Sequence, residues 1–280
     1  MLFRSGEALV DTPGDWCPLP LAARIVAGGK TLVALGVPDA GGSNFEMRLV
    51  RLDATGAPDP TFGTGGFSVA IPGMRIEELL VTVAGGYRVI GRTSSGGGVT
   101  AAAIDDAGAL DAGFGTGGVA DARNISGGPW LPASGTALPT GGLLVTVAAY
   151  GNEHDCYVWR LDDTGHWDMA FGNAGHATLS CAQDLAVVAD GDGAFASRGA
   201  GNAGPTPILA TRLLANGGVD TAFAAAGTVS AGDPLLHHPV GHAATADVRG
   251  TLLVSRVASG WDVVRIRPAN DERISLDGFE

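Results

Sequence analysis

The sequence predicts an all-β chain, a five-bladed β-propeller of four-stranded antiparallel blades. Three observations predict it. First, the stretch Asp59-Pro60-Thr61-Phe62-Gly63-Thr64-Gly65-Gly66 returns as Asp111-Ala112-Gly113-Phe114-Gly115-Thr116-Gly117-Gly118, again from Asp168 to Gly175, and in worn form from Asp220 to Gly227. Second, five apolar strands end at Leu52, Ile104, Leu161, Leu213 and Ile266, spaced by 52, 57, 52 and 53 residues. Third, the stretches between motifs each hold further short strands separated by Gly-rich turns, which gives four strands to a unit. The whole chain, 1–280, reads as a single domain of repeats spanning about 1–56, 57–108, 109–165, 166–217 and 218–280.

The unit after Phe62 shows the scheme most clearly. Phe67–Ile71 reads as one strand, Glu78–Val83 as the next, Tyr87–Gly91 as the return, and Val99–Ile104 as the strand that closes it. The hairpin turn at Ala84-Gly85-Gly86 recurs at Gly28-Gly29, Gly141-Gly142, Asp190 to Gly193 and Arg249-Gly250. Closing strands such as Glu46–Leu52 alternate apolar residues with Arg, the pattern of an outer strand with one wet face. A Gly then follows four residues on, at Gly56, Gly108, Gly165 and Gly217, where positive φ turns the chain. The motif Asp occupies an N-cap position, its carboxylate set to accept from backbone N–H groups two or three residues later. The motif Phe is expected to fill apolar space between neighbouring units. The chain ends complement each other: Leu276-Asp277-Gly278-Phe279 has the front of the motif and Phe3-Arg4-Ser5-Gly6 its back, as a closed ring permits.

The repeats resemble the delta-60 repeat family of bacterial proteins, whose units carry a Leu-x-x-x-Gly-x-x-Asp-x-x-Phe-Gly-x-x-Gly core. Arg51 to Gly66, Ala103 to Gly118 and Arg160 to Gly175 carry the resemblance, and Leu213 to Gly227 departs from it at Ala224. The resemblance implies a propeller-like fold and an exported or cell-surface setting, and it implies no catalytic residues.

Composition narrows the function classes. The net charge of −12, with Lys30 the only lysine, argues against a general nucleic-acid binder, which needs cations to meet phosphate. No apolar run approaches the length of a membrane span. The N-terminus lacks a basic region followed by an apolar core, so no signal peptide is expected in this chain. Cys17, Cys156 and Cys181 form no CxxC pair and no zinc site is expected; they are either small buried hydrophobes or include a Cys156–Cys181 disulfide.

The motif loops and hairpin turns fall at one end of the sheets and look structural. The variable connections fall at the other, the usual place for binding on a rigid scaffold. Trp16 and Trp130 suit stacking on a flat ligand there, with Arg75, Asp184, His237 and His238 beside them as further ligand-binding candidates. His238 and His242 have helical metal-ligand spacing, but Pro239 and Gly241 break a helix, so no metal is assigned. Asp190-Gly191-Asp192-Gly193 opens like a calcium loop yet lacks its remaining ligands. The sequence thus points to a non-catalytic binding module for a glycan or a protein, without a cofactor and without catalytic residues. The alternatives are a glycosidase-like enzyme using carboxylates among Asp15, Glu77, Glu78, Asp121 and Asp184, or a purely structural ring.

Overall fold

The computed structural model describes residues 19–38, 45–82, 86–93, 98–124, 134–148, 155–180, 185–190, 193–199, 208–224, 226–231, 242–247, 250–257, 260–266 and 275–276, with backbone alone beyond 230. The chain divides into two compact units, Met1–Ile125 with Asp163–His166, and Ser126–Asp162 with Trp167–Glu280. Among the described residues there is no α-helix, and every strand pairing is antiparallel.

In the first unit, β1 (Leu19–Val26), β2 (Lys30–Pro38) and β3 (Phe45–Leu52) form a meander. Residues 66–71 complete it as a broken fourth strand, through bridges Val50 to Phe67 and Met47 to Ile71. The break has a cause: the Ser68 hydroxyl takes the bond from the Leu49 amide, at 2.9 Å, that a strand carbonyl would take. The second sheet runs β4 (Met74–Val81), β5 (Tyr87–Thr93), β6 (Gly98–Ile104) and β7 (Arg123–Asn124) in chain order. Leu32, Ala34, Met47 and Leu49 of the first sheet share one core with Met74, Ile76, Leu79, Val89 and Ile104 of the second, and β1 packs on β4.

The second unit repeats the plan three times. Its sheets are β8 (Ser134–Ala137) to β11 (His176–Ser180), with β9 (Leu143–Ala148) and β10 (Asp155–Leu161) between; β12 (Leu185–Asp190), β13 (Gly193–Gly199), β14 (Ile208–Leu213) and β15 (Thr228–Ala231); and β16 (His242–Asp247), β17 (Gly250–Val257), β18 (Gly260–Ile266) and β19 (Ser275–Leu276). The first strands of neighbouring sheets lie side by side, β12 against β8 and against β16. Leu144, Val158, Phe171 and Leu179 pack on Val187, Ala194, Ala196 and Leu213.

The expected hairpins are present at Val26–Lys30, Asp190–Gly193 and Asp247–Gly250. Two expectations are corrected. Residues 67–71 bridge to β3 and so complete the first sheet rather than open the second, and the second sheet closes with β7 rather than with Val99–Ile104. The Arg-bearing closing strand is not an outer strand with a wet face: β3 lies between β2 and the 66–71 segment, and its Arg51 is only 2% exposed. The arginine alternates with apolar residues because it answers a buried carboxylate.

Candidate functional site

Two places in the described residues gather polar chemistry, one at each end of the sheets. The first is the motif turn. In all four copies the Asp carboxylate accepts from the amide two residues on: Thr61 at 3.0 Å, Gly113 at 3.0 Å, Ala170 at 2.9 Å and Ala222 at 3.1 Å. The Asp carbonyl accepts from the Phe amide in each copy, at 3.0–3.2 Å. The result is a capped turn rather than a helical segment.

The glycine behind each Phe then reaches forward into the next copy. Gly63 donates to the Ala107 carbonyl at 2.7 Å, Gly115 to Thr164 at 2.7 Å and Gly172 to Asn216 at 2.6 Å. The following residue is always glycine. A Cβ on Gly108, Gly165 or Gly217 would stand 2.9, 2.7 or 2.6 Å from the amide nitrogen it docks against. Positive φ and close approach both require glycine there.

The other carboxylate oxygen takes a buried cation. Asp59 accepts from Lys30 and from the Arg51 Nε, each at 2.7 Å. Arg51 also donates to the Tyr87 hydroxyl at 3.0 Å, to Thr61 at 3.0 Å and to Asp106 of the next turn, and its guanidinium lies 4.6 Å over the Phe62 ring. The Lys30 bond, with those from Thr61 and Arg51, holds the Asp59 carboxyl well below the usual range despite burial. Burial pulls Arg51 down, but Tyr87 and Asp59 outweigh it and keep it above its ordinary value. Arg160 to Asp168, at 3.9 Å, and Arg212 to Asp220, at 3.2 Å, are weaker versions. Arg212 is shared with Asp190, at 2.9 Å, so that carboxylate of the calcium-like stretch is spent on a protein cation.

The second copy has Ala103 where the others have Arg. Its cation comes from Arg88, directly across the β5–β6 ladder from Ala103. Arg88 lies 4.9 Å over Phe114 and 3.9 Å from Asp111. The substitute is less well satisfied: its Nε is buried with no partner, and burial pushes the guanidinium down against the pull of Asp111 and Asp163.

The second place is the far end of β4. The register slips between Ile76 and Glu78, leaving Glu77 as the extra residue of a bulge. The slip moves the core-facing positions from Met74 and Ile76 to Leu79, so Arg75, Glu77 and Glu78 fall on the less buried side. Gly91 lies across from the bulge, where a Cβ would overlap the Arg75 carbonyl. Glu77 accepts from Arg92, and Glu78 from Arg24 of β1. Burial pushes the Glu78 carboxyl up, and Arg24 partly offsets it. Arg75 stands exposed opposite Arg92, with no hydrogen-bond or ion-pair partner among the described residues.

Of the sequence-predicted ligand residues, Arg75 alone is described. Trp16, Trp130, Asp184, His237 and His238 lie outside the described residues, as do Asp15 and the 191–192 tip of the calcium-like stretch. Asp121 is exposed near β7. No group of three or more His, Cys, Asp or Glu that would hold a metal occurs among the described residues. Cys156 is disulfide-bonded, which decides part of the cysteine question; Cys17 and Cys181 are outside the described residues. Sequence reading missed the Arg51 network. Its signal was present: Arg51–Asp59, Arg160–Asp168 and Arg212–Asp220 are each eight residues apart.

No family model and no curated protein matches this sequence. Solved structures do match in fold. Hydrazine synthase of Kuenenia stuttgartiensis superimposes with a TM-score of 0.54 at 12% identity, covering 88% of this chain and 64% of that one. The β-propeller domain of the Trilobed protease from Pyrococcus furiosus matches at 0.49 and 8% identity, over 93% and 70%. The likeness is to β-propellers. A GH43_1 enzyme from Xanthomonas citri, solved with xylose, is similar at 0.43 and 10% identity over 93% and 92%. At such identities the resemblance concerns fold alone. No helix among the described residues is long and apolar enough to cross a membrane.

Proposed function

We propose that this chain is a five-bladed propeller of the delta-60 repeat kind acting as a non-catalytic binding module, with a glycan or a protein held by the variable connections at one end of its sheets. The supporting observation is the unequal use of polar groups at the two ends. At the motif end each Asp is bound within its own turn. At the other end Arg75 projects unpaired from a bulged first strand, a device that re-aims side chains. An exposed arginine beside acidic neighbours suits a hydroxyl-rich or carboxylate-bearing ligand. Glycan-array and pull-down measurements test this. Arg75→Ala is expected to weaken any captured ligand at least tenfold without moving Tm; unchanged binding, or no ligand in either assay, overturns it. The blade number is tested separately by electron-microscopy class averages, where any count but five defeats the proposal.

A hydrolase is the second reading, favoured by the raised Glu78 carboxyl beside Glu77. Against it, Arg24 and Arg92 already neutralise these two carboxylates. Turnover of aryl glycosides that disappears in Glu78→Gln would revive it.

A further inference from the structure

We infer, resting on the binding role proposed above, that the ligand carries a single carboxylate, as a uronic acid residue of a glycan does, and that Arg75 holds it. Arg75 and Arg92 are direct partners across the β4–β5 ladder. Side chains opposite each other in an antiparallel pair leave the same face with Cβ atoms about 4.5–5.5 Å apart, and like charges placed so repel. Glu77, the extra residue of the bulge, accepts from the Arg92 Nε and its side chain is largely buried. Among the described residues, two guanidiniums and one carboxylate leave one positive charge. It resides on Arg75, which is exposed.

The scaffold does not need these charges. β1 has a bulge of the same kind, between Pro20 and Ala22, in its ladder with β2. There the extra residue is Leu21, where β4 has Glu77. Two pairs beyond the bulge, Leu19 is matched with Gly36 in the first sheet and Arg75 with Arg92 in the second. One sheet makes the slip with uncharged residues; its neighbour sets three ionised groups on it and leaves one unanswered. Charge and geometry then limit what fits. A guanidinium presents a planar fork of donors, which a carboxylate meets with two parallel hydrogen bonds. The chain carries a net charge of −12, and Glu77 and Glu78 stand on the same side of β4, so further negative charges on the ligand are repelled. One carboxylate set among uncharged hydroxyls meets these conditions. A run of acidic residues in a peptide does not.

An array of glucuronate- and galacturonate-bearing oligosaccharides, beside their carboxyl-reduced counterparts, tests this with the full chain. Uronate-bearing members are expected to bind about tenfold more tightly than the reduced ones at low ionic strength, with the margin narrowing as salt rises. Arg75→Ala is expected to erase the margin, bringing uronate binding down to the level of the reduced sugar with Tm unmoved. Equal binding of charged and reduced sugars, or a margin that survives Arg75→Ala, overturns the uronate assignment and leaves the binding module standing. A ligand found only among acidic peptides in the pull-down does the same. Absence of any ligand in both assays overturns the assignment and the binding module together.

Discussion

The four motif aspartates look alike in sequence yet differ in what they hold. Asp59 is buried and takes two cations at 2.7 Å, whereas Asp168 is a third exposed with its arginine at 3.9 Å. Removing one partner of a buried pair strands the other, at about 3–5 kcal/mol; an exposed pair contributes about 0–1 kcal/mol. Asp59→Asn is therefore expected to lose several kcal/mol in urea denaturation and Asp168→Asn about 1 kcal/mol. Equal losses would contradict the ranking. The Asp59 carboxyl is depressed in the folded state, so its contribution is complete above roughly pH 4 and drains away as the pH falls toward the folded value. Asp59→Asn should flatten the acid limb of the stability curve. Three alanines tell a different story. Ala174, Ala224 and Ala226 hold φ of 53°, 45° and 54°, where other copies place glycine. At the positions of Gly65 and Gly117, which correspond to Ala174, a Cβ meets nothing within 4 Å. Ala174→Gly removes only backbone strain, and a gain of about 0.5–1 kcal/mol by chemical denaturation is expected.

At the level of a strand, Arg88 and Ala103 form an exchange across the β5–β6 ladder. The cation that three copies keep on the third strand has moved to its neighbour, at the cost of an orphaned Nε. Ala103→Arg alone crowds two guanidiniums and should lose about 2 kcal/mol or more. Pairing it with Arg88→Leu recreates the Arg51 arrangement, and the double variant is expected to match or exceed the wild type in Tm. Failure of the double variant to recover would show that Arg51 depends on Tyr87 and Asp106 more than on its position. The bulge of β4 yields a second expectation. Gly91→Ala drives a methyl into the Arg75 carbonyl, so the strand must shift, costing about 1–3 kcal/mol. Strand identity was legible because apolar alternation and glycine turns are local: β14 ends at Leu213, where the sequence placed its end. The segment 67–71 read as a plain strand, yet Ser68 interrupts it with its own hydroxyl. Local pattern does not reveal a side chain bonding two strands away.

Across the chain, the repeat spacing carried the succession of four-stranded antiparallel sheets, and the fold likeness to propellers agrees with that. Far less of the candidate site was readable. Arg75 was chosen for its loop position, yet it lies in β4, exposed by plain alternation between the core-facing Met74 and Ile76; the bulge that turns Glu78 outward depends on the register between β4 and β5, which sequence spacing does not encode. The buried network was readable in principle, through the eight-residue interval from Arg to Asp, but only once Ala103 is recognised as the exception that Arg88 repairs. The same network bears on ions. Each motif carboxylate is bound by its own turn, so calcium or a chelator is expected to move Tm by less than about 2 °C. A larger shift in calorimetry would locate an ion beyond the described residues.

The forward reach of Gly63, Gly115 and Gly172 means that none of these three copies is a self-sufficient part. Each is finished by material encoded 44–49 residues downstream, so a transplanted fragment must carry its successor's turn or arrive with an unanswered amide. Permutation within such a stretch separates a phenylalanine from the glycine that seats it. Gene duplication can lengthen or shorten this chain only in whole periods, and every inherited period must keep a glycine for its predecessor.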